Sequence, residues 1–382
     1  MLSVIAICSS IIILCYAVYV ITLLRYWSRP TLNAPTGSDP ALKVAVIVPF
    51  RNEAHHLPTL LNALLSQDFT TGNAEFIFVN DHSEDSSCSI IQRFQQEHCL
   101  PIKLLNLPAN AFGKKAAIHN AIEASDSDII VTIDADALPE ANWLRRIENI
   151  YHQNEADLVI LPVLLAPAKT RLERLQQVDF LQLSGITGAA ANMHSAVMCN
   201  GANLSFSRKS YLHIMNNITH QNLLSGDDMF LMLAMKHARM KIHYYFDSSV
   251  IVKTKPCGTL KDLLQQRVRW ASKISALSDK HIVVSGLILS LANWSVSAIV
   301  ISSLITPSLW MPAITLLLIK MSVEYWFAHC IAQSFKCKLR VDDALLLSLF
   351  YPVYFILIPL LIVIYPTKWK GRAISLRTSK KT

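Results

Sequence analysis

One apolar run leads the chain and three close it, and this placement constrains the fold more than any other feature. Leu2 to Leu24 contains no Lys, Arg, Asp or Glu and has about the 20 residues that cross a bilayer as a helix. A cleavable secretion signal would have basic residues before the run and a small-residue cleavage site after it. Here no basic residue precedes it, while Arg25 and Arg29 follow it. Residues 1–25 are therefore expected to remain as a membrane anchor, N-terminus outside, with the chain that follows in the cytoplasm. The closing runs cover roughly 282–305, 309–328 and 344–365, within a C-terminal membrane region of 281–366. Trp310, Tyr325, Trp326, Tyr365 and Trp369 mark their ends, as aromatic belts mark membrane interfaces.

Two charges interrupt this pattern. Lys320 and Glu324 stand one helical turn apart inside the 309–328 run. An internal ion pair would offset part of the cost of either charge in lipid, or the segment lies shallow or turns back; a polar lining for an acceptor path is the competing reading. Four crossings would leave the basic tail 367–382 outside, yet Lys368, Lys370, Arg372, Arg377, Lys380 and Lys381 belong inside. A cytoplasmic C-terminus is expected.

The four runs explain why the chain is 52% hydrophobic and only 16% charged, against about 45–50% and 25% in soluble domains. With 10 Gly and 16 Pro, collagen-like and Pro/Gly-rich disordered chains are excluded. The eight cysteines are scattered without a C-x-x-C pair, which argues against a zinc ribbon and for free thiols in a reducing compartment. The net charge of +8 does not cluster as in nucleic-acid binders. Much of it flanks the apolar runs, and no nucleic-acid partner is expected.

Between the runs, residues 41–280 alternate short apolar segments with amphipathic ones. Strands are predicted at 43–48, 75–79, 102–105, 128–133 and 158–163. Helices are predicted at 56–67, from the segment after Ser83 to about 98, and at 114–124 and 142–151. In the first, Leu57, Leu60, Leu61, Leu64 and Leu65 fall at helical spacing. Such alternation argues an α/β fold with a parallel sheet and helices on both faces, whose ligands bind at the carboxyl ends of the strands. There is no G-x-G-x-x-G after a strand, no P-loop and no G-x-S-x-G, which argues against dinucleotide, P-loop and hydrolase sites.

Four clusters carry candidate chemistry. Asp134-Ala135-Asp136 closes the 129–133 strand, where two carboxylates can share a hard divalent cation; an ordinary polar loop would look alike. Asp81 ends another strand and could accept a hydrogen bond from a base N–H, or could serve helix capping together with Ser83 and Asp85. Gly226-Asp227-Asp228 precedes an apolar helical run. One acid could cap that helix and the other take a proton as a general base. In Gln265-Gln266-Arg267-Val268-Arg269-Trp270, arginine suits a phosphate and tryptophan a sugar or headgroup. An interfacial helix would carry the same residues.

Taken in order, these clusters resemble glycosyltransferase family 2. The set runs Val48-Pro49-Phe50-Arg51-Asn52-Glu53, Val79-Asn80-Asp81-His82-Ser83, Gly113-Lys114-Lys115-Ala116-Ala117 and Asp134-Ala135-Asp136. It continues with Gly201-Ala202-Asn203-Leu204-Ser205-Phe206, Gly226-Asp227-Asp228 and Gln266-x-x-Arg269-Trp270. The last element resembles that of membrane-integrated members, the processive polysaccharide synthases and ceramide glucosyltransferases. The resemblance implies a GT-A-like, mostly parallel sheet over 41–280, with transmembrane helices at both ends. It also implies a nucleotide-sugar donor, a lipid or glycan acceptor and a divalent metal, Mg or Mn. By position, Arg51, Glu53 and Asp81 would face the base, and Lys114 or Lys115 the nucleotide. Asp134 would lie near the ribose and metal, and Asp136 on the metal. Asp228 would be the general base. Asp227, Gln266, Arg269 and Trp270 would serve the pyrophosphate and acceptor, Arg269 the former and Trp270 as the acceptor floor. The family often has Glu where Asp227 stands, which weakens only that residue's assignment. The implied activity is sugar transfer with inversion to a lipid or membrane-associated glycan. The alternatives are a processive polysaccharide synthase and a non-catalytic nucleotide-sugar-binding scaffold. The expected location is a bacterial cytoplasmic membrane, catalytic domain facing the cytoplasm.

Overall fold

The computed structural model describes residues 2–27, 42–69, 73–153, 155–215, 227–274 and 279–364, with the pairs 368–369 and 372–373. Gly226 and most of the basic tail lie outside the described residues. The chain divides into two compact units. One comprises Pro30–Ala166, Met198–Lys255 and Trp369–Thr382; the other comprises Met1–Arg29, Pro167–Val197 and Pro256–Lys368. The stretch 41–280, expected as one block, is thus shared between both.

The first unit is a mixed α/β layer. Its strands are β1 (Val44–Phe50), β2 (Ala74–Asn80), β3 (Ile102–Asn106), β4 (Ile129–Ile133), β5 (Leu138–Pro139), β6 (Leu158–Ile160), β7 (Val163–Leu165), β8 (Asn203–Ser207), β9 (Ile242–Tyr244) and β10 (Val252–Thr254). Seven of them form one sheet in the order β3-β2-β1-β4-β8-β6-β9. β1 pairs parallel with β2 and β4, and β2 parallel with β3. The central strands are buried on both faces, as the near-continuous apolar sequence of β1 requires.

Helix α2 (Leu57–Leu65) buries Leu57, Leu60, Leu61 and Leu64, each stabilising by about 1.5–3 kcal/mol. Leu65 is 39% exposed. At 100° per residue it falls roughly 80° round from Leu57, outside the stripe of the other four. Helices α3 (Ser87–Glu97), α4 (Gly113–Glu123) and α5 (Trp143–Gln153) follow their strands, close to the predicted spans.

Two features depart from expectation. The predicted strand 158–163 is broken: β6 joins the large sheet and β7 joins a second, β5-β10-β7. Pro162 stands between them, and proline cannot donate to a ladder. The segment beginning at Gly201 supplies β8, which runs antiparallel between β4 and β6 and was not foreseen as a strand. Two further helices complete this unit, α7 (Arg208–Ile214) and α8 (Asp227–His237).

The second unit is helical. It contains α1 (Leu2–Trp27), α6 (Arg171–Asn192), α9 (Leu260–Ile274), α10 (Lys280–Ile305), α11 (Trp310–Ser334) and α12 (Val341–Ile364). Four of these are long and apolar enough to cross a membrane: Val4–Trp27, Lys280–Ile305, Pro307–Ser334 and Val341–Ile364. Their outward faces are apolar. α1 exposes Val4, Ile7, Ile11, Leu14 and Val18 while Ile13, Tyr16, Val20 and Leu23 turn inward. Water would disfavour such a surface and lipid accepts it.

α6 was not anticipated. It opens with a capping box, Thr170 with Glu173. At Gly185 it approaches α11 so closely that a Cβ would stand 2.7 Å from Phe327 and Ile331 atoms.

Candidate active site

The chain goes from β1 outward through β2 to β3, then returns to place β4 on the other side of β1. The carboxyl ends of β1 and β4 therefore flank a topological switch point, the ligand crevice of open α/β sheets. Arg51 and Glu53 follow β1, Asp81 follows β2, and Asp134 and Asp136 follow β4. The acids read from sequence stand at the ends of neighbouring strands.

Asp81 is 1% exposed. Its Oδ2 accepts the Gly113 N–H at 3.1 Å, and its own N–H donates to the Phe50 carbonyl at 2.9 Å. Gly113 adopts φ +89°, a conformation that glycine enters without steric penalty. Arg51 reaches the Asp81 carbonyl at 3.5 Å and Glu84 at 3.6 Å. Two non-glycine residues in the same loops, Asn52 and His82, have φ of 54° and 55°. Side-chain bonds hold both turns: Asn52 N–H donates to Ser83 Oγ at 3.0 Å, and His82 Nε2–H to the Ala111 carbonyl at 3.0 Å.

Lys114 lies in the first turn of α4. Its Nζ donates to Asp134 Oδ1 at 2.6 Å and to the Gly201 carbonyl at 3.1 Å. Lys115 turns to the other side, 5.7 Å from the Phe230 ring centroid. There it lines a small pocket with Thr132, Tyr211 and Asp228. Of the two candidate lysines, Lys114 is the one beside the acid pair. Burial raises the Asp136 carboxyl above the usual carboxylate range. The charges of Asp134 and Glu53 push it the same way, and His56 opposes them. Glu53 accepts the His56 Nδ1–H at 2.7 Å, and Thr254 Oγ1 stands 3.4 Å from Asp136 Oδ2.

This acid cluster fits a divalent cation. Among the described residues no three His, Cys, Asp or Glu side chains form a ready cage. Mg²⁺ sites, however, use one or two carboxylates and complete the shell with waters and substrate phosphates. Mutual repulsion between Asp134, Asp136 and Glu53 is what a cation would relieve.

Asp228 starts α8. Its Oδ2 accepts the Gly201 N–H at 3.0 Å and its Oδ1 the Met229 N–H at 2.8 Å. Gly201 thus touches Lys114 through its carbonyl and Asp228 through its N–H, and its carbonyl also accepts Thr132 Oγ1 at 3.0 Å. Asn203, fully buried, accepts Trp143 Nε1–H at 3.0 Å and donates to the Pro162 and Val250 carbonyls at 2.7 and 2.8 Å. Nothing in the sequence around Gly201 or Asn203 signals these roles. The side chain of Asp227 lies outside the described residues.

Gln266, Arg269 and Trp270 belong to α9 in the helical unit, and all three are half-buried. The buried arginine of this motif is Arg267, whose Nη2 meets Asp179 Oδ2 at 2.6 Å. The motif's spacing gave no signal for Arg267, and nothing in the sequence singled out Asp179.

Residues 45–215 match the family described as Glycosyl transferase family 2. A probable glycosyltransferase of Bacillus subtilis is 24% identical over 233 residues, which is 60% of this chain and 54% of that protein. An undecaprenyl-phosphate 4-deoxy-4-formamido-L-arabinose transferase of Salmonella paratyphi B is 34% identical over 98 residues. That alignment covers 25% of this chain and 30% of the relative. The chain thus spans little more than half of the first relative's length and less than a third of the second's. A solved mannosyltransferase of Pyrobaculum calidifontis, in complex with GDP-Man and Mn²⁺, superposes with a TM-score of 0.59 at 18% identity. It covers 88% of this chain and 99% of its own. The fold is therefore GT-A-like, and the relatives' transferase names support a transferase enzyme.

Proposed function

We propose that the protein is an inverting glycosyltransferase that moves a sugar from a nucleotide sugar, a UDP-sugar, to a lipid or membrane-associated glycan. One observation carries this reading. Gly201 accepts Lys114, the partner of Asp134, on its carbonyl and donates its N–H to Asp228. A donor-side cation–acid pair and a candidate base are thereby held on the two sides of one peptide residue.

Asp228 takes the proton of the acceptor hydroxyl as that oxygen attacks the anomeric carbon. The bond from that carbon to the diphosphate breaks, and the nucleoside diphosphate leaves with the electron pair. The backbone N–H groups of Gly201 and Met229 fix the plane of the base carboxylate. No nucleophile stands paired with a second base among the assigned residues, which suits a single displacement. Lys114 offers positive charge beside Asp134, and Arg269 is assigned to the departing diphosphate. Asp81, with Arg51 and Glu53, is assigned to the base. Trp270 is assigned to the acceptor, with Gln266 and Asp227 beside it in the motif order. Asp134 and Asp136 would hold Mg²⁺ or Mn²⁺, which when bound neutralises developing charge on the diphosphate.

The apolar helices support a membrane-integrated protein. Its expected site is a bacterial cytoplasmic membrane, with the α/β unit and the C-terminus on the cytoplasmic side. Membranes containing the full chain, incubated with a panel of labelled UDP-sugars, are expected to place label in the lipid fraction. A ladder of long chains would overturn single addition in favour of a processive synthase. No transfer from any UDP-sugar would overturn the donor assignment.

A further inference from the structure

The helical unit holds charged residues that the reaction above does not use. Glu324 on α11 accepts Lys320 Nζ at 2.7 Å and the Tyr16 hydroxyl of α1 at 3.0 Å, and it also accepts the Ser348 hydroxyl of α12. Lys320 is fully buried, and its Nζ donates to the Ser348 carbonyl at 3.4 Å. The same Nζ stands 5.7 Å from the ring centroid of Tyr351 on α12. The Tyr351 hydroxyl donates to Asp179 Oδ1 on α6 at 2.7 Å, and Asp179 Oδ2 accepts Arg267 Nη2 on α9 at 2.6 Å. The Arg267 guanidinium lies 4.6 Å from the Trp270 ring centroid, and Phe180, next to Asp179 on α6, stands 6.3 Å from the same ring.

One polar path therefore runs from an ion pair among the apolar helices to the tryptophan of the Q-x-x-R-W segment. Apolar side chains of similar volume would fill such a seam at no greater cost, because desolvating buried charges offsets much of their attraction. What a satisfied polar network adds is a defined geometry. α6 grips the segment twice: Asp179 holds Arg267, and Phe180 meets the ring of Trp270. We propose that Asp179, oriented by the Tyr351 hydroxyl, is a positioning residue. It fixes the Arg267 guanidinium against Trp270 and so sets the direction of that ring. The consequence for the acceptor rests on the proposed transferase reading; the positioning itself does not.

The test uses the full chain in detergent. The Trp270 fluorescence is taken as the difference between each protein and the same protein carrying Trp270→Phe. In Tyr351→Phe and in Asp179→Asn, acrylamide quenching of that component is expected to rise about twofold as the cation–π contact loosens. The Tyr351→Phe/Asp179→Asn pair is expected to match Asp179→Asn alone, as residues acting along one path do. Transfer of labelled sugar to membrane lipid should fall about tenfold, the loss of one hydrogen bond to a charged group. The half-saturating UDP-sugar concentration should be unchanged, and Asp179→Glu should recover part of the loss. An unchanged Trp270 component in Tyr351→Phe, or additive effects of the two substitutions, would overturn the proposal. A wild-type protein that transfers no label would overturn the transferase reading alone, because the fluorescence still decides the positioning.

Discussion

Asp134 and Glu324 are both carboxylates held by a lysine, at 2.6 and 2.7 Å. Their surroundings differ. The Asp134 side chain is 38% exposed and stands at the open end of a strand, beside a second acid that repels it. Glu324 is 3% exposed and also takes two hydroxyls from two other helices. The first arrangement leaves like charges facing each other at a crevice. The second matches every charge to a partner and defines how helices meet. A buried carboxylate is thus no signature of function by itself; whether its charge is balanced in place separates the two kinds.

The largest effect expected is at the α/β unit. Asp228→Asn keeps the size and, through its one amide oxygen, one of the two backbone hydrogen bonds, but removes the proposed base. Transfer should fall by at least about 10²–10⁴-fold, with UDP affinity measured by calorimetry unchanged. Normal turnover would remove Asp228 from the mechanism. Asp136→Ala should abolish the Mn²⁺-dependent part of donor affinity; equal affinity with and without manganese would count against the acid pair as its seat.

The helical unit should respond in stability. Lys320→Met leaves Glu324 buried beside two hydroxyls without its cation, a loss of about 3–5 kcal/mol. Lys320→Met/Glu324→Leu should lose much less. Thermal unfolding in detergent checks this, and a double variant worse than the single would show that the charges stabilise outright. The smallest effect is at Gly113→Ala. Its left-handed φ should cost about 1–2 kcal/mol and loosen the N–H held by Asp81, read as a modest fall in both melting temperature and UDP affinity.

Much of the α/β unit was legible because its signals are local. The strands of 44–50, 74–80, 102–106 and 129–133 are short apolar runs, and the acids that follow the first, second and fourth can be placed by counting along one strand. Leucine spacing gave α2, except that Leu65 falls just outside the buried stripe. The break at Pro162 was also written in the sequence, since proline interrupts a ladder, but which sheet each half joins is a matter of long-range pairing. β8 was hidden for the same reason: five residues carry no sign of running antiparallel.

The sequence alone determined where the apolar helices lie, that a sheet alternates with helices between them, and which acids end its strands. These depend on residues near one another along the chain. The tertiary structure decided that Gly201 joins Lys114 to Asp228, that Lys114 rather than Lys115 meets Asp134, and that Arg267 rather than Arg269 is the buried arginine of α9. It also brought Asp179, Tyr351 and the Lys320–Glu324 pair into one path. Apart from the Lys320–Glu324 pair itself, those contacts join residues from 20 to 172 positions apart, and only packing chooses among the partners that any one charged side chain could take.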